Sequence, residues 1–286
     1  MNLLRAISIC SLAALLLAPA IANAQTTTPA ADQTCPTDAL APAHTPTVAL
    51  DTSGGPTYGT MQYRNGATLG RKEIALTFDD GPNPDTTPRI LDILDRHCIK
   101  ATFFMVGIYA QARPDLVREV AARGHYIGTH TWTHRNLRHL SLAEAKREIT
   151  RAFNAVETAL ASAPPESQDR LAPFFRFPGL NDKKALISWL ATHDIATVSC
   201  EFGADDWLRI GKAEVYRRGL RNIAEVGSGI LILHDTKPHT ADMLSDFIVT
   251  LEKRGYRFVQ IVPDRKAREL AAAAPGSLID MKKSVQ

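Results

Sequence analysis

From about residue 72 onward, two spacings of apolar positions alternate along the chain. Short apolar runs read as strands: "EIALTF" (73–78), "KATFFMV" (100–106), "HYIGTH" (125–130), "PFFRF" (173–177), "IATVSC" (195–200), "GILILH" (229–234) and "YRFVQI" (256–261). Between them lie segments with helical spacing. "DTTPRILDILDRH" offers Thr87 as an N-cap and Pro88 at the first helical position. "PDLVREVAAR" is a helix that Gly124 stops. "SLAEAKREITRAFNAVETAL" opens on a capping box, Ser141 and Glu144, and carries the stripe Ile149, Phe153, Val156, Leu160. "DKKALISWLATH", "KAEVYRRGLRNIAEV" and "ADMLSDFIVTLEKR" complete the helices. Strands that alternate with helices pair in parallel through crossover units. Seven such strands suit a closed or nearly closed α/β barrel, with an open doubly wound sheet as the alternative. No GxGxxG follows any strand, so a dinucleotide-binding version of that sheet has no support.

The residues at which the strands stop are informative. The first run ends at Asp79 and Asp80, followed by Gly81 and Pro82. Asp-Gly-Pro taken alone is ordinary turn chemistry. In βα barrels, however, chemistry sits at the C-terminal strand ends. Here the third strand is followed by "HTWTH" (130–134), the fourth by Arg176, the fifth by Asp205, Asp206 and Trp207, and the sixth by His234 and Asp235. His130 and His134 are spaced i, i+4, so on a helical turn both imidazoles would share one face and could bind one metal ion. A pair of surface histidines is the alternative. A carboxylate from another strand end would complete an Asp/His/His set with open positions for water, suited to Zn²⁺ or a similar divalent ion. One Asp of the pair would then be a ligand and the other a free base.

The N-terminus adds a targeting expectation. Arg5, the apolar "LAALLLAPAIA" and Ala22-Asn23-Ala24 read as a signal peptide over residues 1–24, which would leave a secreted or periplasmic protein with no membrane span. Residues 25–71, rich at first in Thr, Pro and Ala, read as a partly ordered leader or linker, and 72–286 as the folded domain. The roughly 260 residues left after cleavage suffice for one barrel-sized core. With 33 Lys and Arg against 30 Asp and Glu, and no basic block, nucleic acid is not an expected partner. Cys35, Cys98 and Cys200 would remain after cleavage of the segment holding Cys10. Export permits a disulfide, and an odd count leaves at least one of them unpaired.

Taken together, "TFDDG", "HTWTH", "RFPG", "DDW" and "ILILH" resemble, in order and spacing, the five motifs of the polysaccharide deacetylases, the NodB-homology or carbohydrate esterase family 4 group, over roughly residues 72–262. The resemblance implies a distorted (β/α) barrel that uses a divalent metal, Zn²⁺ first and Co²⁺ or another ion next, to remove acetyl groups from sugars. It implies Asp79 as general base, Asp80, His130 and His134 as metal ligands, and Arg176 as the residue orienting the base. Asp206 would tune the catalytic His234, the general acid; Trp207 would line the groove and Thr131 brace the histidine loop. The expected activity is N-deacetylation of an acetylated polysaccharide or oligosaccharide containing N-acetylglucosamine, such as chitooligosaccharide or a peptidoglycan-like glycan. An O-acetyl esterase acting on xylan or another acetylated polysaccharide, and a non-catalytic glycan-binding barrel, are the alternatives.

Three positions depart from the family pattern. Gly179 stands where an aromatic residue usually follows the Pro of the third motif; its backbone N–H can still donate to an oxyanion, but a wall of the sugar site is missing. Ile232 replaces the usual Leu two residues before His234, and strand alternation places it on the same face as that histidine. It is a candidate contact for the acetyl methyl or an ordinary barrel residue. Gly203 stands where an Asp is common, with Asp205 or Glu201 as candidate compensation. His97, His125, His139 and His193 read as solvated or structural, Trp189 as helix-face core, and Trp132 as groove or core. His239 and Asp235 lie near the mouth.

Overall fold

The alternation on the first long strand decides what faces what. In the computed structural model, which describes residues 45–264, Glu73–Asp79 forms strand β3. Its Ile74, Leu76 and Phe78 pack outward into the main core against the helices, whereas Ala75 lies in a second cluster on the inner face of the sheet. Asp79 therefore points inward, on the same side as Ala75 and Thr77. The strand Gly229–His234 repeats the arrangement: Leu231 and Leu233 face outward, and Ile230 and Ile232 belong to the inner cluster. This alternation puts His234 inward as well.

In chain order the strands are β1 (Thr47–Leu50), β2 (Thr57–Tyr58), β3, β4 (Thr102–Met105), β5 (Tyr126–Thr129), β6 (Leu171–Phe175), β7 (Ala196–Val198), β8 (Phe202–Gly203), β9 (Gly229–His234) and β10 (Arg257–Pro263). The α-helices are α1 (Thr87–Arg96), α2 (Gly107–Ala112), α3 (Pro114–Ala122), α4 (Leu142–Leu160), α5 (Pro165–Gln168), α6 (Lys184–Ala191), α7 (Lys212–Val226) and α8 (Pro238–Lys253). Every ladder among the described residues is parallel. β9 runs along the length of β3, while β10 and β4 take its first and last residues in turn. The order around the mouth is therefore β8-β9-β3-β4-β5-β6-β7-β2, with β10 and β1 wedged in at the opposite end. No ladder among the described residues joins β2 to β8. The sheet curls into a distorted (β/α) barrel left open along that seam, and the doubly wound alternative does not apply.

All seven strands expected from the sequence are present. β1, β2 and β8 were not expected. β1 and β2 lie in the stretch read as leader, and β1 pairs in register with β10. The capping box forms as expected: the Ser141 hydroxyl accepts from the Glu144 N–H, and the Glu144 carboxylate accepts from the Ser141 N–H at 3.0 Å. The start of α1 differs by one residue. Thr86 is its N-cap, and Thr87 and Pro88 are the first two helical residues. The Thr87 hydroxyl is instead turned to Asp235, which removes it from capping. Of the two cysteines among the described residues, Cys98 is disulfide-bonded and Cys200 is free and buried. The segment read as a signal peptide, Cys10, and Cys35 lie outside the described residues. No helix among the described residues is long and apolar enough to cross a membrane.

Candidate active site

Residues at or just after the ends of β3, β5, β6, β7, β8 and β9 line one cavity of about 760 Å³. Asp79, at the end of β3, is buried and fixed by the wholly buried Arg176. The Arg176 guanidinium donates to Asp79 Oδ1 at 2.6 Å, Thr77 Oγ1 at 2.8 Å, the Val198 carbonyl at 3.0 Å and the Ser199 carbonyl at 2.8 Å. It also stacks on Phe104, 4.1 Å from the ring centroid. A buried guanidinium is tolerable only when its donors and charge are satisfied in this way. One carboxylate oxygen of Asp79 is thereby locked, and the other, Oδ2, is left toward His130.

Asp80 follows at φ 78°, and its carboxylate faces both histidines. His130 Nε2 lies 3.7 Å and His134 Nε2 3.1 Å from its Oδ1. The two histidines are not on a helical turn, as the spacing suggested. Residues 130–136 form an irregular loop in which Thr131 (φ 67°) and His134 (φ 58°) are both left-handed. The loop brings the rings together by a different route, with centroids 4.9 Å apart. Left-handed non-glycine residues cost about 1–3 kcal/mol each and persist where surrounding contacts impose them. Here the backbone carbonyls of Thr131 and Trp132 accept from the N–H groups of Gly107 and Ile108, at the start of α2. Thr131 thus braces the loop through its main chain; its hydroxyl is buried without a partner.

The donor set fits a cation. His130 Nδ1 donates to the Arg176 carbonyl at 2.8 Å, and burial pushes the pKa of this imidazole down, so Nε2 presents a lone pair. That lone pair faces carboxylate oxygens of both Asp79 and Asp80, each at 3.7 Å, an acceptor turned toward acceptors. Asp80 Oδ1 is buried, and its near neighbours are ring nitrogens: His134 Nε2 at 3.1 Å and His130 Nε2 at 3.7 Å. Burial works against its charge, but His134, His130 and His234 around it hold the carboxyl well below its ordinary range. One ligand atom each from Asp80, His130 and His134 lies within 4.8 Å of the others. A positive ion among them would resolve all of these mismatches.

Across the cavity, His234 is held by Asp206. Asp206 Oδ1 accepts from His234 Nδ1 at 2.8 Å; its Oδ2 accepts from the His234 N–H at 2.7 Å and the Thr240 hydroxyl at 2.7 Å. Burial alone would lower the His234 pKa, but this hydrogen bond and the carboxylates of Asp206, Asp79 and Asp80 overcome it and raise it to about 9. His239 donates to the Asp206 carbonyl at 2.6 Å, so it supports the pair from behind. Asp235 is buried, its N–H donates to the Asp79 carbonyl at 3.2 Å, and a Cβ at Gly81 would collide with its carboxylate. Burial and the charges of Asp80 and Asp79 push its pKa up to about 7, with the Thr87 hydroxyl opposing.

The remaining expected residues also line the cavity: Gly179 (φ 57°), Ile232, and Trp207, which is 62% exposed. Neither candidate for compensating Gly203 reaches the histidine pair. Asp205 pairs with Arg218, and Glu201 accepts from the N–H groups of Thr60 and Ile230. Trp132 stacks with Arg151 outside this cavity, and His125 is buried, accepting from the Ala101 N–H. Met61, Leu180, Asn222 and Val226 line the cavity and were not anticipated. Thr77 was within reach of the sequence, because strand alternation places it on the same face as Asp79.

The polysaccharide deacetylase family model matches residues 66–198. A chitooligosaccharide deacetylase of Bradyrhizobium sp. (strain ANU 289) is 33% identical over 205 residues, which span 67% of this chain and 90% of the relative. A peptidoglycan-N-acetylglucosamine deacetylase of Bacillus cereus is 30% identical over 195 residues, 67% of each chain. Among solved structures, a peptidoglycan deacetylase of Bdellovibrio bacteriovorus superposes with a TM-score of 0.67 at 31% identity, covering 77% of this chain and 59% of that one.

Proposed function

The chain belongs to the polysaccharide deacetylase family, and from that premise we propose that it removes N-acetyl groups from a glycan containing N-acetylglucosamine, of the chitooligosaccharide or peptidoglycan type. The observation that carries the reading is the grouping of three metal-type ligand atoms between a carboxylate locked by arginine and an imidazole whose protonated form is favoured, all in one cavity.

Asp80, His130 and His134 are the residues that would hold a divalent cation, and zinc suits a mixed imidazole and carboxylate set. Such a cation supplies polarisation of the acyl carbonyl and acidification of a water. Asp79 takes the proton from the attacking water as general base, with Arg176 holding it in place. The Gly179 N–H stands ready for the developing oxyanion. His234, with Nδ1 engaged by Asp206, gives a proton from Nε2 to the leaving nitrogen. The water's oxygen ends in acetate, the C–N bond breaks, and the amine departs protonated. Trp207 and Ile232 flank the sugar and its acetyl group.

We further propose that residues 1–24 direct export. The disulfide at Cys98 supports an oxidising destination. Mass spectrometry of the extracytoplasmic protein should find Gln25 at its N-terminus, whereas a retained Met1 contradicts export. Activity is tested by acetate release from N-acetylglucosamine oligomers and from acetylated xylan, with and without a chelator. Chelator-sensitive release from the oligomers is expected. Release from xylan alone would make the protein an O-acetyl esterase, and none from either would leave a binding barrel.

A further inference from the structure

We propose that the site accepts N-acyl groups longer than acetyl, with the acyl chain passing Ile232 toward Met61 and Val226 along the wall where Gly203 carries no side chain. The proposal rests on the N-deacylating function inferred above and specifies its acyl specificity.

β8 and β9 pair with Gly203 opposite Ile232. Neighbours in a parallel register turn the same way, so a side chain at 203 would stand beside that of Ile232 on the inner face. A Cβ built at Gly203 would lie 3.1 Å from Ile232 Cγ2, closer than ordinary van der Waals contact, with backbone atoms next at 3.6 and 4.0 Å; Ile232 leans over the glycine and must shift to admit any side chain there. The preceding Phe202 packs mainly into the outer core while also bordering the cavity. Gly179 also lines the cavity without a side chain, and its left-handed φ of 57° disfavours one. This side of the mouth is where the barrel is unpaired, between β2 and β8.

An acetyl group needs no more than one contact for its methyl, which Ile232 can supply. Met61 and Val226 line the same cavity as Ile232 and Gly203, and its volume of about 760 Å³ is in the range that encloses a sizeable ligand. Met61, Trp207 and Val226 are 53%, 62% and 50% exposed, and they account for three of the six large exposed hydrophobic residues found among the described residues. Trp207 is useful to a sugar ring. Exposed Met and Val side chains offer a sugar little, but an aliphatic chain would bury them. Hydrolysis itself is unchanged. Water adds its oxygen to the acyl carbon, the C–N bond breaks, His234 protonates the departing amine, and a longer carboxylic acid is released.

The test is a matched series of chitotetraose-type substrates bearing N-acetyl, N-propionyl, N-butyryl or N-hexanoyl groups, assayed for kcat/KM. A pocket that closed at the methyl would lose roughly 10-fold or more per added methylene. Wild type is expected to cleave the butyryl substrate within about tenfold of the acetyl one, the span of a single methylene in a closed pocket. Gly203→Val should lower the butyryl-to-acetyl ratio by about tenfold or more, as expected for a lost methylene-sized space. Gly203→Ala, which adds one carbon against a movable Ile side chain, should lower it in the same direction and guards against misfolding of the Val variant. A wild-type butyryl rate about 100-fold or more below acetyl, the loss two methylenes cause in a closed pocket, overturns the inference while leaving the deacetylase reading intact. An unchanged ratio in both variants overturns it too. Absence of turnover on every acyl group, acetyl included, overturns the functional reading itself and this inference with it.

Discussion

Replacing Asp206 by Asn tests the proposed general-acid role of His234 and its dependence on Asp206. Asp206 Oδ2 accepts two donors, the His234 N–H and the Thr240 hydroxyl, whereas Oδ1 accepts one, His234 Nδ1. An asparagine keeps most of these bonds by leaving its oxygen on the two donors and turning its NH₂ to Nδ1. That nitrogen must then accept, which leaves the imidazole neutral. The charge that outweighed burial is also gone, so the His234 pKa should fall from about 9 to or below its ordinary 6.5. The general acid works in its protonated form, present below its pKa and lost as pH rises through it. At pH 8 wild type would hold roughly 90% of His234 protonated and the variant about 3% or less, a loss of about 30-fold from protonation alone. A cation at Asp80 would offset part of the carboxylates' pull, so the alkaline limb of the loaded protein belongs at or somewhat below 9. The assay is kcat/KM against pH from 5 to 10, read as acetate release. The alkaline limb should move down by about two pH units in Asp206→Asn, in line with the fall in pKa. A limb that stays in place, with activity lowered equally at every pH, would refute the claim that Asp206 sets this protonation.

Other consequences follow from the same geometry. His234→Ala should keep its metal and lose most activity on amides, by about 10²–10⁴. Its loss should be smaller on esters with good leaving groups, and equal losses would remove the general-acid assignment. Arg176→Met leaves the buried Asp79 carboxylate without its partner and should destabilise the fold by about 3–5 kcal/mol. Differential scanning calorimetry would register this as a melting point lower by on the order of 10 °C; an unchanged melting point would mean that Asp79 does not need the arginine's charge.

Much of this architecture was legible because its signals are local. β3 alternates Ile74, Leu76 and Phe78 with Ala75, Thr77 and Asp79, so Asp79 could be set on the face opposite the core from sequence. β9 is apolar up to His234, and its sequence says only that Ile232 and His234 share a face. α4 declared both its cap and its buried stripe. What was not legible depends on distant partners. β1 is four residues of modest character whose strand state comes from pairing with β10, more than 200 residues later. β2 and β8 are two residues each, too short for any period to show. The histidine loop brings the two expected residues together, but by another geometry than their spacing suggested. An i, i+4 spacing reads as one helical face, but here left-handed residues, pinned to α2, bring the rings together. Thr87 looked like a cap because nothing local reveals that Asp235 competes for its hydroxyl.

The central claim is that Asp79 and Asp80, adjacent in sequence, divide a base role and a ligand role. Their Asn variants, measured side by side for bound metal by atomic emission and for kcat, test it most directly. Asp80→Asn replaces an anionic ligand by a neutral amide, so metal content should fall and excess metal should partly restore activity. Asp79→Asn leaves Asp80, His130 and His134 in place, so metal should stay bound while kcat drops by about 10²–10⁴ with no rescue by excess metal. Loss of metal from Asp79→Asn with retention by Asp80→Asn would reverse the two roles, and retention of both metal and activity by both variants would contradict the account.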